Sequence, residues 1–133
     1  MTLTSLGTSL PFARAQFRLR SRALEFGEAD VALELRPNCE YCDGDLPPDS
    51  RDARICSYEC TFCADCVAAP LQNVCPNCGG GFVPRPIRPA REWRPGLSLA
   101  KRPASKKRAE LSYSREDIAV FVRDLALIAP NKR

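Results

Sequence analysis

Eight cysteines stand within residues 39–78 of a 133-residue chain that contains no histidine. They run Cys39-x2-Cys42-x13-Cys56-x3-Cys60-x2-Cys63-x2-Cys66-x8-Cys75-x2-Cys78. A two-residue spacer lets one tight turn offer two sulfurs to a single ion, and eight thiols make two tetrahedral four-cysteine sites. Soft thiolates select zinc or iron–sulfur over hard cations. Four thiolates close the shell of a zinc ion and leave no position for water or substrate, so such a site is structural. Two Zn2+ ions are the expected cofactors.

Other chemistries of clustered cysteine fit less well. A disulfide framework belongs to oxidising compartments and would require export. Met1–Leu10 carries no charged side chain, and Arg14, Arg18, Arg20 and Arg22 occupy the place of an apolar signal core. The compact iron–sulfur run ending in Cys-Pro has no match here. Cys75-Pro76-Asn77-Cys78 has the spacing of a redox pair, but such a pair normally stands alone on a βαβ scaffold. A thiol redox or zinc-buffering protein, in which oxidation of a cysteine pair ejects zinc, is the enzyme-like alternative; a low-pKa exposed thiol would mark it. With every cysteine committed and Asp43, Asp45, Asp49 and Asp52 reading as solvated loop, there is no catalytic set. Neither enzymatic activity nor a small-molecule substrate is expected.

Short elements must position these sulfurs. The large apolar residues between Cys39 and Cys78 are Tyr41, Leu46, Ile55, Tyr58, Phe62, Val67, Leu71 and Val74. That is too little to fold the segment by burial alone, so metal must supply folding energy. The pattern predicts a strand over Val31–Leu35, stopped by Arg36-Pro37, then a knuckle over Cys39–Gly44 whose glycine takes positive φ. A loop follows over Asp45–Asp52, a strand over Ala53–Ser57, and a helix of one to two turns over Cys63–Ala69, ended by Pro70. Val74–Gly81 forms the second knuckle. Arg-Pro pairs at 85–86, 88–89, 94–95 and 102–103 favour extended or polyproline-like chain. Ser114 can cap a helix from Arg115 to about Ile128, with Glu116 and Asp117 in its first turn. Ile118, Phe121, Val122, Leu125 and Ile128 share one face of it. No apolar run is long enough for a membrane helix.

Charge divides the chain. Residues 31–80 carry three basic and eight acidic side chains, whereas 81–110 carry nine basic and two acidic, within a total of +4. An acidic zinc module with a basic tail suggests two kinds of partner. In the tail, Arg91, Trp93, Arg94, Lys106, Lys107 and Arg108 could meet nucleic acid, the indole stacking on a base and the cations meeting phosphates. On the helix, Phe121 and Leu125 could dock a protein. Protein docking is favoured, because the tail offers one aromatic and no evident folded platform.

The cysteine register resembles that of RING-type modules, with Cys60 where histidine is commoner, Phe62 before Cys63 and Pro76 after Cys75. The resemblance implies interleaved sites: Cys39, Cys42, Cys63 and Cys66 on one zinc, Cys56, Cys60, Cys75 and Cys78 on the other. Sequential pairing, as in tandem fingers, is the alternative. Features that RING ligases use are weak or missing: Tyr41 stands at an aliphatic contact position, Val67–Val74 has no tryptophan, and Gly79 replaces a basic residue. Ubiquitin-ligase activity is therefore not expected. Residues 33–48 (LELRPNCEYCDGDLPP), 55–66 (ICSYECTFCADC), 74–80 (VCPNCGG) and 85–89 (RPIRP) are similar to the bacterial domain of unknown function 1272 family, over roughly 31–89. That resemblance implies a small cytoplasmic bacterial protein and supplies no activity.

The expected fold is a small metal-stabilised α+β protein: a RING-like or treble-clef double-zinc module with an extended Pro/Arg-rich tail and a C-terminal helix. Residues 31–84 form the module, 85–113 a basic linker and 114–129 the helix. Residues 1–30 hold no acid before Glu25 and are expected to be a disordered extension, upstream of a natural start at Val31, with weak helix at best over Phe12–Ala29.

Overall fold

Alternating burial in Ala53-Arg54-Ile55 makes a strand edge, and the chain supplies two partners for it. The computed structural model describes residues 32–133, of which Glu34–Arg133 form one compact unit. Strands β1 (Ala53–Ile55) and β2 (Thr61–Cys63) pair antiparallel, with Ala53 opposite Cys63 and Ile55 opposite Thr61. The two-residue β3 (Val83–Pro84) pairs on the other side of β1, giving the order β2-β1-β3. The β1–β2 turn closes through Glu59 N–H to Cys56 O, with Glu59 at φ 67°. Helix α1 (Ala64–Ala68) follows β2 without a break, and the Cys63 sulfur caps it by accepting from Cys66 N–H.

The C-terminal helix α2 spans Arg115–Leu125. Its N-cap is the anticipated one, because Ser114 Oγ accepts from Asp117 N–H at 3.0 Å. It ends three residues before Ile128, and a 3-10 turn follows at Pro130–Lys132. Ile118 and Val122 enter the core beside Leu46, Ala53, Phe62, Leu71 and Val74. At about 1.5–3 kcal/mol per buried aliphatic side chain, α2 offsets part of the apolar deficit of the cysteine segment. Phe82 completes the packing edge-on to Phe62, centroids 5.3 Å apart.

Several expectations differ from the structure. No strand forms over Ala32–Leu35; the Leu35 carbonyl instead accepts from Ser105 N–H. The strand expected over Ala53–Ser57 stops at Ile55, since Cys56 begins the turn to Cys60. Residues 85–113 are not a free linker but bind back onto the segment that precedes them. Arg85, 4% exposed, donates to the carbonyls of Arg36, Leu46 and Pro47. The Asn38 amide both donates to Ala109 O and accepts from Ala109 N–H, acting as a substitute strand edge. Arg108 forks onto Asp43 and Asp45 at 2.9 Å each. Opposite charges 65 and 63 residues apart have found each other. The expected N-terminal extension over 1–30, its weak helix and Val31 lie outside the described residues.

Candidate metal centre

Two turns of matching geometry present four of the sulfurs. In the first, Cys39 N–H donates to Gly44 O and Asp43 N–H to Cys39 O, both at 2.8 Å. In the second, Cys75 N–H donates to Gly80 O at 2.8 Å and Gly79 N–H to Cys75 O at 2.7 Å. The left-handed residue is Asp43 (φ 64°) in one and Gly79 (φ 82°) in the other. This corrects the expectation for Gly44, which does a different job. Gly44 N–H and Gly80 N–H donate to the sulfurs of Cys42 and Cys78, each at 3.4 Å. A Cβ at either glycine would stand 3.4 Å from the same sulfur. Neither glycine adopts positive φ.

The sulfurs of Cys39, Cys42, Cys63 and Cys66 lie within 4.8 Å of one another. Cys42 and Cys63, the pair that distinguishes interleaved from sequential grouping, have sulfurs 3.9 Å apart. The first knuckle thus meets the β2–α1 junction. Cys56, Cys75 and Cys78 form a second group within 4.8 Å. Cys60 is outside that limit. Cys75 and Asn77 are the neighbours that most lower its thiol pKa, and Cys56 lies beside it too. The second cluster is therefore three sulfurs, with Cys60 beside it. These two clusters could each hold a metal ion.

Burial and hydrogen bonding sort the thiols. Desolvation pushes Cys39 and Cys66 up, and Cys56 up to about 11. Cys75 is pushed up by its bond to Cys60, and that bond brings Cys60 down to about 6. The Gly44 N–H bond lowers Cys42. Backbone donors also reach Cys39 from Cys42 and Cys56 from Tyr58. Such donors stabilise thiolate over thiol, and so favour a ligand state. The eight cysteines are free of disulfides.

Glu40, between the first two cysteines, was not singled out from sequence. Its side chain is 4% exposed. One oxygen accepts from Arg36 Nη1 and Thr61 N–H at 2.8 Å each, and the other from Asn77 Nδ2 at 3.3 Å. One carboxylate thus ties the first knuckle to β2 and to the second knuckle. Arginines secure the knuckles from outside. Arg115 lies over the Tyr41 ring at 4.0 Å and donates to Tyr41 O. Arg133 donates to the carbonyls of Asn73 and Gly79.

The expected partner-binding residues divide. Arg108 pairs with Asp43 and Asp45, whose side chains stay in solvent. Arg91, Trp93, Arg94, Lys106 and Lys107 are exposed. Leu125 faces inward, its Cδ1 3.2 Å from where a Cβ on Gly79 would stand, while Phe121 stays 38% exposed. Phe121 lines a cleft of about 350 Å³ with Pro76, Asn77, Tyr113, Asp117 and Ile118.

Residues 32–88 match the family described as protein of unknown function (DUF1272). An uncharacterized protein of Rhizobium meliloti (strain 1021) is 59% identical over 76 residues, which cover 57% of this chain and 83% of that protein. The chain belongs to the DUF1272 family. The DUF1272 segment takes in all eight cysteines, Glu40 and Arg85, and ends before α2. No solved structure matches the chain. Among the described residues, no helix is long and apolar enough to cross a membrane.

Proposed function

We propose that this DUF1272 chain is a non-enzymatic module built on two structural zinc centres, RING-like in its interleaved ligands. Cys39, Cys42, Cys63 and Cys66 would hold one ion; Cys56, Cys75 and Cys78, with Cys60, would hold the other. The observation that carries this reading is the 3.9 Å between the Cys42 and Cys63 sulfurs. Four sulfurs at about 2.3 Å from a tetrahedral zinc stand about 3.8 Å apart. The donor set is all sulfur, which suits zinc and disfavours hard cations. Bound metal would supply folding energy and a fixed spacing between the two knuckles, not a reactive position.

The work of such a module is to present a surface. The cleft beside α2 fits one apolar side chain of a protein partner, with Phe121 and Tyr113 as its walls. Elemental analysis of protein purified under reducing conditions tests the metal reading; two zinc ions per chain are expected, and iron or no metal would overturn it. Phe121→Asp with zinc content unchanged should abolish protein docking at this cleft. Docking that survives it would place the partner elsewhere.

A further inference from the structure

The proline- and arginine-rich segment after the cysteine module holds an ordered loop whose role the zinc reading does not use. Leu99 N–H donates to Pro89 O at 2.8 Å and closes the loop at its base. Within it, Leu97 N–H donates to Arg94 O, and Gly96 N–H to Glu92 Oε2 at 3.0 Å. Gly96 makes the bend at φ 81°, a conformation that suits glycine. Below the base, Ser98 is 1% exposed, and its carbonyl accepts from Arg102 N–H. The loop is thus fixed by its own backbone and seated on the body of the unit.

Its apex carries Trp93, 70% exposed, between Arg91 and Arg94. The Arg91 guanidinium lies 4.8 Å from the centroid of the indole ring. That contact covers part of the ring, and Trp93 remains 70% exposed. The charge around it is one-sided. From residue 85 to 109 Glu92 is the single acid, and it is engaged with Gly96. Arg91, Arg94, Lys101, Lys106 and Lys107 are exposed along the same stretch.

We propose that the 89–99 loop is a binding site for single-stranded nucleic acid, with Trp93 stacking on a base and Arg91 and Arg94 meeting the flanking phosphates. An exposed aromatic between cations offers the two interactions that a single strand can accept without regard to sequence: stacking and phosphate neutralisation. Because the loop is already closed, stacking need not offset the entropy of ordering it. The exposed large apolar side chains of the 89–99 loop are Trp93 and Leu97, a small apolar surface for insertion into a bilayer. Further along the segment, Arg108 is paired with Asp43 and Asp45.

Trp93 is the one tryptophan of the chain, so its fluorescence reports on the site alone. The zinc-loaded full chain would be titrated with oligothymidylate and oligouridylate at about 50 mM salt, then at about 200 mM. Quenching is expected, with affinity falling on a log–log slope of about 0.7 per phosphate contacted. Trp93→Ala, followed by anisotropy of a labelled oligonucleotide, should weaken binding roughly 5- to 140-fold, with Trp93→Phe much milder. Arg91→Ala and Arg94→Ala should each reduce the slope by about 0.7. Absence of quenching at low salt, an affinity indifferent to Trp93, or a response to anionic vesicles and not to oligonucleotide would overturn the assignment. Zinc measured on the same sample separates failure here from failure of the metal reading.

Discussion

Glu40 shows how a single side chain can join two sites that sequence spacing treats as separate. Its carboxylate is shared by Arg36, the Thr61 amide and Asn77, and it is almost fully withdrawn from water. Replacing it by glutamine removes the charge and, with the amide oxygen kept on Arg36 and Thr61, turns the acceptor that faces Asn77 into a donor. A buried donor left without its acceptor costs about 1–3 kcal/mol. Denaturant unfolding of Glu40→Gln is expected to show a loss of that size, with metal content unchanged from the parent. Nothing in the sequence marked this residue, since a glutamate beside a cysteine reads as a solvated loop side chain. Glycine, by contrast, was legible as a type and misplaced in its role. Gly79→Ala must hold an L side chain at φ 82° and place Cβ 3.2 Å from Leu125. Gly96→Ala has similar φ and open space around it. Thermal melts should therefore rank Gly79→Ala the worse, by at least the contact cost, with the left-handed penalty of about 1–2 kcal/mol common to both.

Helix α2 was the element most readable in advance, because serine cap, acidic first turn and apolar face agreed with one another. Its face proved narrower than the periodicity implied. Ile118 and Val122 are buried, while Phe121 and Ile128 stay partly in solvent. Ile118→Ala is expected to cost about 2–4 kcal/mol, as large-to-small core changes do. Val120→Ala, on the exposed side, should fall within about 0.5 kcal/mol of the parent. Equal costs for the two would mean that α2 does not pack on the cysteine segment. The short strands were harder to read. Three residues of β2 and two of β3 carry too few alternations for a period, and they exist because β1 offers both edges. Conversely, the residues around Leu35 had an alternating pattern and no edge to join, so the backbone bonded to Ser105 instead.

At the scale of the whole molecule, the cysteine register pointed to one arrangement and the charge pattern hid another. The grouping of Cys42 with Cys63 rather than Cys56 is the one the RING resemblance implied and spacing alone left open, while the return of the basic tail does not follow from any local motif. Arg85, Asn38 and Arg108 find partners 38 to 71 residues away, and such pairings leave no local trace in composition. The two features together dictate how the protein should come apart. The β1–β2 hairpin carries Cys56 and Cys60 toward one cluster and Cys63 toward the other, so neither cluster can open without freeing a segment that serves its neighbour. Glu40 and Asn77 add a direct tie between the knuckles. A structure of this size has little apolar burial to hold half of itself folded. On the proposed two-zinc reading, titration with a strong chelator should therefore release both ions in one transition, in step with loss of secondary structure and of hydrogen-exchange protection in α2. Independent sequential fingers would instead lose metal in two stages, with α2 protection falling at one of them. Two resolved stages would show that the interleaving does not couple the centres, and that the strap from 85 to 133 holds them in place without linking their stability.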